Sequence, residues 1–469
     1  MIQRPKWVRS NIVWILVLIF LISFSAPPPA PAMTIQEERE LGEKFLLEMK
    51  KRWPFIQDVS VNAYVNHVGK RILQAVGPQP FEYQFFVLNS PEINAFAVPG
   101  GKVFLNSGLI LVVETEDEMA GVIAHEIGHV AARHISKRSE KSMPLSLATL
   151  GAILLGIFLG PKAATAVATA TMAATETVML KYSRDDEDEA DHLGLKYMDK
   201  SGYDRKAMVS MFKKLRRAYG PSSSDPPAYL MTHPAAEERA DKLAIQMSHL
   251  PSNPKISDST GNMRRIQTKL RIEEKDAPRI VAYFENWLKR QPNEGEAYFG
   301  LALALRRMGA LDRAIENLNT AISFSPEDGE MFRELGNTHF LKGNFSEAQR
   351  YLEEASRLSP QDGITYLYLG RVYFEQKSYQ PSLLAFLRAR DLLPEYPEVY
   401  YHLGRAYGGV GQLASAYHNF GYYYKALGDS RIAISHFQKA MTYYDEKSPE
   451  RRALQKEIND LEPPRKELR

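Results

Sequence analysis

The sequence predicts a mostly α-helical protein: an α+β unit with a small sheet, followed by an α-solenoid of helical-hairpin repeats. Three observations predict it. Prolines recur at Pro292, Pro326, Pro360 and Pro394, a period of 34 residues, and a fixed period of that length marks a stacked helical array. Upstream, Met119, Val122, Ile123, Ile127 and Val130 form a wide apolar stripe at helical spacing, with Thr115 and Glu118 placed to form a capping box ahead of it. Between Asn94 and Asn106, β-branched and aromatic residues flank Pro99-Gly100-Gly101, which predicts two strands joined at a tight turn.

Taken in order, residues 1–32 open with Arg4, Lys6 and Arg9, run apolar from Ile12 to Ile22 and end in Ala30-Pro31-Ala32. This is the outline of a secretory signal peptide cleaved after Ala32, the alternative being an uncleaved membrane anchor. Export places the remainder in the periplasm, or membrane-anchored facing it. Those three basic residues account for the whole formal charge of +3, so the rest of the chain is neutral overall and has no electrostatic reason to bind nucleic acid. The absence of cysteine removes disulfides, thiolate ligands and lipoprotein attachment together. Residues 33–250 read as the α+β unit, its first helix capped by Thr34 and Glu37. Leu145 to Gly160 is almost wholly apolar and rich in Gly. It is too short for an ordinary span and reads as a buried or lid-like helical hairpin with possible contact to a membrane or to unfolded clients. A polar linker is expected over 251–276, the repeats over 277–444 and a charged tail over 445–469.

The chemistry concentrates in His125-Glu126-Ile127-Gly128-His129. Residues four apart share a helix face, so His125 and His129 offer two imidazoles to one ion. Glu126 can reach a water on that ion without ligating it, which is the place of a general base. A catalytic zinc site commonly takes three protein ligands, so a third is required, and the acidic run Asp185-Asp186-Glu187-Asp188-Glu189-Ala190-Asp191 supplies Glu187 and Glu189 as candidates.

With that run, Glu187-Asp188-Glu189-Ala190-Asp191 matching Glu-x-x-Ala-Asp, the chain resembles the HtpX and CAAX-prenyl-protease type of zinc metallopeptidase, metallopeptidase family forty-eight. The resemblance implies a zincin-type α+β metallopeptidase domain holding one zinc ion per chain. It implies His125, His129 and Glu187 as ligands, with Glu189 failing the family spacing, and Asp191 as the residue that orients a ligating histidine. It also implies that the strand carrying Asn94, Ala95, Phe96 and Ala97 runs beside the active-site helix, where an edge could receive extended substrate by strand addition. Thr232-His233-Pro234 with Arg239 resembles the family's His-Pro element and trailing arginine. His233 then either donates a hydrogen bond to the tetrahedral oxyanion or takes the fourth position as a latch. In the implied mechanism zinc lowers the pKa of a water to about 7 and polarises the scissile carbonyl, and Glu126 takes the water's proton.

The 34-residue period is that of the tetratricopeptide repeat. Gly336, Gly370 and Gly404, Leu301, Leu335, Leu369 and Leu403, and Ala321, Ala355 and Ala389 keep the same register. Gly309, Gly343 and Gly411 mark the inter-helix turn, Lys377 breaks that column, and Pro381 is expected to perturb the helix that follows. Gly404 to Gly421 is half a period, so one helix serves two overlapping units. Such arrays present a groove, and Arg333, Asn337, Arg371, Phe374, Tyr401 and Arg405 are its candidate partner-binding residues. A peptidase fused to this array resembles envelope quality-control proteases. That implies an endopeptidase acting on misfolded, misassembled or stalled outer-membrane polypeptides, with the repeats docking client or assembly machinery. The alternative is a periplasmic chaperone or assembly scaffold with a latent peptidase domain.

Overall fold

A computed structural model describes residues 33–137, 182–217, 229, 233, 236–248 and 260–462. The expected signal peptide and the apolar stretch 145–160 lie outside the described residues. The chain divides into two units at Glu273/Glu274.

In the first unit, α1 (Ile35–Arg52) and α2 (Val59–Val76) precede β1 (Gln84–Leu88), β2 (Ala95–Val98), β3 (Lys102–Asn106) and the short α3 (Ser107–Val112). Then come α4 (Glu116–Ala131), α5 (Arg184–Ser201), α6 (Lys206–Arg217), α7 (Ala236–Ser248) and α8 (Thr260–Ile272). The Thr34–Glu37 capping box forms as expected. At α4 only half of one does: Thr115 accepts the Glu118 N–H. The Glu118 carboxylate is drawn instead to the Glu114 N–H, Ser210 and Lys214, because two partners from α6 outbid one backbone donor in a buried setting.

The sheet order is β1-β3-β2, with β1 parallel and β2 antiparallel to β3. Register follows the side-chain alternation. Phe86, Phe104 and Phe96 lie opposite one another and stack with centroids 5.2 and 4.9 Å apart, covered by Phe45, Leu46 and Met49 of α1. The other face, Phe85, Val87, Val103, Leu105, Ala95 and Ala97, joins the core built on α2 and α4. Helix α4 therefore runs through the centre of the unit, buried from Met119 to Val130.

Two expectations of irregular chain are corrected. The linker assigned to 251–276 contains α8, whose Met263, Ile266 and Leu270 enter the main core and whose Gln267 donates to the carbonyls of Ile110 and Val113. The i, i+3, i+7 stripe is narrow, but burying three such side chains contributes several kcal/mol. The tail assigned to 445–469 contains a helix, Pro449–Leu461, whose Leu454 and Ile458 pack with Phe437 and Ala440.

The second unit is a stack of helical hairpins. Helix α9 (Ala277–Arg290) leads to α10 (Gly295–Arg307) with α11 (Leu311–Phe324), and α12 (Gly329–Leu341) with α13 (Phe345–Leu358). Next are α14 (Gly363–Glu375) with α15 (Tyr379–Leu392), α16 (Pro397–Gly409), α17 (Leu413–Ala426), α18 (Ser430–Met441) and α19, the helix from Pro449 to Leu461. Helix α17 packs on both α16 and α18, as the half-period predicts. Pro381 causes no break, because it falls in the first turn of α15, where its missing N–H is not needed.

Lys377 holds φ +60, matching Gly309, Gly343 and Gly411 at φ +79 to +83. The turn's hydrogen bonds impose the left-handed conformation whatever the residue: Lys377 and Ser378 donate to Phe374 and Tyr373 as Gly343 and Asn344 donate to Phe340 and His339. A side chain there costs about 1 kcal/mol. Lys377→Gly is expected to raise the urea midpoint of the repeat transition accordingly, and an unchanged or lowered midpoint would show the turn is not strained.

Candidate active site

Helix α4 brings His125, Glu126 and His129 to one end of the core, and α5 crosses it at Gly128. A Cβ at Gly128 would lie 2.8 Å from the Ala190 carbonyl, so glycine at this position sets how near Glu187 comes to the histidines. Ser183 caps α5, with Asp185, Asp186 and Glu187 in its first turn, where the helix dipole favours negative charge.

His125, His129, Glu187 and His233 each direct one donor atom into a common space, all within 4.8 Å of one another and all buried. His125 Nε2 is 3.0 Å from His129 Nε2 and 3.3 Å from His233 Nδ1. Glu187 oxygens lie 3.6, 3.5 and 3.0 Å from His125, His129 and His233. Bonds of 2.0–2.1 Å in a tetrahedron place ligand atoms about 3.3 Å apart, so these spacings fit zinc. Burial, with His125 and His233 beside it, holds His129 well below the usual histidine range, which keeps it neutral with a lone pair to give. Burial opposes ionisation of Glu187, yet His233, His125 and Arg239 hold its carboxyl below the usual range.

Glu126 is completely buried, and neither carboxylate oxygen has a hydrogen-bond partner. His233 Nε2 lies 3.5 Å from it. Burial pushes its carboxyl up, with the histidines pulling against that. A buried carboxylate of this kind is costly unless something in the same space hydrogen-bonds to it, which suits a residue whose partner is a reacting water.

Asp191 lies 2.9 Å from His125 Nδ1 and accepts two bonds from Arg239, at 2.7 and 2.6 Å. Arg239 also reaches Glu187, and its guanidinium rests on Phe212, itself edge-on to His125. The structure therefore places Asp191 and Arg239 behind the ligands, where the resemblance put them. Burial opposes, but Arg239 and His125 hold the Asp191 carboxyl at about 2. A depressed carboxylate contributes stability above its unfolded value, about 3.9, that is lost as pH falls through the folded one. The fold of the first unit is therefore expected to weaken between about pH 4 and pH 2, and Asp191→Asn to flatten that limb of a thermal-midpoint profile. An unaltered limb would assign the acid loss to other groups.

Glu189 stands apart from the cluster. It is half-exposed and pairs with His134 and Lys137. His134 and two aromatic residues were missed from sequence. Tyr182 stacks on His129 with centroids 3.7 Å apart, and Tyr229 stacks on His233 at 4.5 Å. Thr232 and Pro234 lie outside the described residues. Asn94, just ahead of β2, and Ala95, Phe96 and Ala97 on it are buried, and β2 is an edge of the sheet. β2 ends at a cleft lined by Ala97, Val98, His129, Val130, Arg133 and Tyr182.

In the repeat unit the candidate groove residues divide. Arg333 and Asn337 are buried, and Arg333 is held by Glu330, Glu334 and Asp362. The expectation that Arg333 offers a free charge to a partner is corrected: desolvating a guanidinium requires pairing, and Asp362 supplies it from the next repeat. Arg371 lies over Phe340 and Tyr368, and Arg405 over Phe374, the same stack 34 residues apart. Tyr401 is exposed.

A helix-borne pair of histidines, a carboxylate from a crossing helix and an unpartnered buried glutamate define a metallopeptidase domain of the zincin type. Residues 60–246 match the profile of peptidase family M48, and residues 281–329, 333–397 and 414–446 match tetratricopeptide repeats. The chain carries an M48 peptidase domain followed by tetratricopeptide repeats. It is similar to the putative beta-barrel assembly-enhancing protease of Vibrio cholerae, 30% identical over 63% of this chain and 62% of that one. It is also similar to the beta-barrel assembly-enhancing protease of Escherichia coli, 36% identical over 44% and 43%. The mitochondrial metalloendopeptidase OMA1 of Arabidopsis thaliana is 29% identical over 45% and 38%. The matched regions thus span less than two thirds of these curated relatives. Among solved structures, the crystal structure of MamA is 24% identical over 32% of this chain and 86% of that one, with a TM-score of 0.29.

Proposed function

We propose that this chain is a zinc metalloendopeptidase of bacterial envelope protein quality control that degrades misfolded or stalled outer-membrane polypeptides. The observation that carries the reading is the buried, unpartnered Glu126 carboxylate beside four converging donors. A zinc ion held there supplies Lewis acidity toward the scissile carbonyl and acidifies a water. Glu126 takes that water's proton and returns it to the leaving amine, the work to which a raised carboxyl is suited. Asp191 and Arg239 keep His125 and Glu187 oriented.

All four vertices of the donor set belong to the protein, whereas catalytic zinc sites keep one open. This supports the second of the two roles for His233, a latch that must withdraw before water and substrate enter. Tyr229 and Tyr182, stacked against it, would hold it in place. Substrate would then add along the edge of β2. The Asn94 amide, buried with neither its oxygen nor its nitrogen partnered, would gain partners from a substrate backbone added there. The repeats would recruit client or assembly machinery through Arg371, Phe374, Tyr401 and Arg405. Export to the periplasm rests on the N-terminal sequence and on the similarity to beta-barrel assembly-enhancing proteases. No helix among the described residues is long and apolar enough to cross a membrane.

The test is cleavage of unfolded casein, with and without a chelator, alongside metal content. Chelator-sensitive cleavage is expected, and Glu187→Gln should lower zinc content because an amide is a weaker ligand than a carboxylate. Capture of unfolded protein without cleavage, even after His233→Ala, would favour the latent scaffold. Zinc loss in Glu189→Gln but not in Glu187→Gln would overturn the ligand assignment.

A further inference from the structure

His134 is a buried histidine that the chemistry above leaves without a task. It does not belong to the face of α4 that carries His125 and His129, since five residues at 100° each would carry it about 140° round from His129. The helix ends first. Arg133 takes φ +56, which interrupts the helix, and His134 comes to lie edge-on to the His129 ring, with Nδ1 2.8 Å from His129 Nδ1. Its other nitrogen, Nε2, lies 3.1 Å from the Glu189 carboxylate and 3.8 Å from Asp186. His134 is 1% exposed, whereas the Glu189 side chain is half in solvent.

We propose that His134 and Glu189 form a positioning relay that fixes the tautomer and ring orientation of His129; the inference rests on the metal reading of the site. Proton accounting leads to it. His129 turns Nε2 toward the donor cluster, and an imidazole that gives its Nε2 lone pair to a cation carries its proton on Nδ1. That N–H faces His134 Nδ1, which must therefore be the acceptor, and the His134 proton then sits on Nε2, facing Glu189. Each contact is satisfied once, with every ring neutral and no proton added or removed. The reverse arrangement would put the His129 proton on Nε2 and remove the lone pair from the cluster. Each helix-borne ligand thus has its own support: Asp191 with Arg239 for His125, His134 with Glu189 for His129. Glu189 acts through His134, not on the ion.

The test uses the full chain and two readouts besides hydrolysis: zinc affinity by competition with a chromophoric chelator, and imidazole nitrogen NMR of the zinc-loaded protein. His134→Ala is expected to weaken zinc binding about 10- to 100-fold. His134→Gln should recover most of that, because its carbonyl oxygen can accept from His129 Nδ1–H. Glu189→Gln, isosteric and half-exposed, should fold normally and weaken zinc by a smaller factor, since a neutral amide accepts less strongly than a carboxylate. The spectrum should place the His129 proton on Nδ1. Unchanged affinity in both His134→Ala and Glu189→Gln overturns the relay alone, whereas a His129 proton on Nε2 in the loaded protein overturns both the relay and the place of His129 Nε2 among the ligands. Failure of the unaltered chain to bind zinc overturns the metal reading and the relay with it.

Discussion

Glu126→Gln is expected to abolish peptide hydrolysis, by at least about 100-fold, while leaving the zinc content unchanged. The amide keeps the shape of the side chain but cannot take a proton, and Glu126 supplies none of the four converging donor atoms. Its stability effect should be small or favourable, because a neutral group replaces a carboxylate that the fold buries without a hydrogen-bond partner. Undiminished turnover with one zinc per chain would remove Glu126 from the mechanism and leave the site without a base.

The second large effect has the opposite sign. His233→Ala is expected to raise hydrolysis of an unstructured peptide by about tenfold or more, since it removes the fourth protein donor and with it the competition for the position water needs. A tenfold gain corresponds to a latch favoured by only about 1.4 kcal/mol, within the range of ordinary two-state switches. Slower hydrolysis with intact zinc would return His233 to the role of oxyanion donor. Zinc affinity should fall at the same time, because an imidazole from outside α4 and α5 is lost. The two readouts moving in opposite directions is the signature of a latch.

What could be read from the sequence follows the range of the interactions involved. His125, Glu126 and His129 were legible because a helix places them by local geometry alone, whereas the acidic run offered both Glu187 and Glu189 and only the family resemblance singled out Glu187 and Asp191. Arg239 lies 48 residues from Asp191, and only the resemblance placed it. His134 was not legible, since a continuous helix points it away and only the left-handed turn at Arg133 brings it back. The signal present was a third histidine just beyond the motif, followed downstream by an unassigned Glu189. The stripes of α8 and α19 were present in Met263, Ile266 and Leu270 and in Leu454 and Ile458, but polar neighbours masked their spacing. Arg333 read as a groove residue because its neutralisation by Asp362 requires the stacking of successive repeats, which no local pattern encodes. Lys377 shows the reverse: it read as a break in the glycine column, yet the turn's hydrogen bonds hold it in the same left-handed conformation.

The measurement that tests the central claim most directly is zinc K-edge absorption fine structure on the zinc-loaded chain and on His233→Ala. Three imidazole nitrogens and one carboxylate oxygen are predicted for the unaltered protein, from His125, His129, His233 and Glu187. In His233→Ala, two imidazoles should remain, with a water oxygen in the vacated position. Two imidazoles in both proteins would contradict the latch, and fewer than two in either would contradict the zinc site itself.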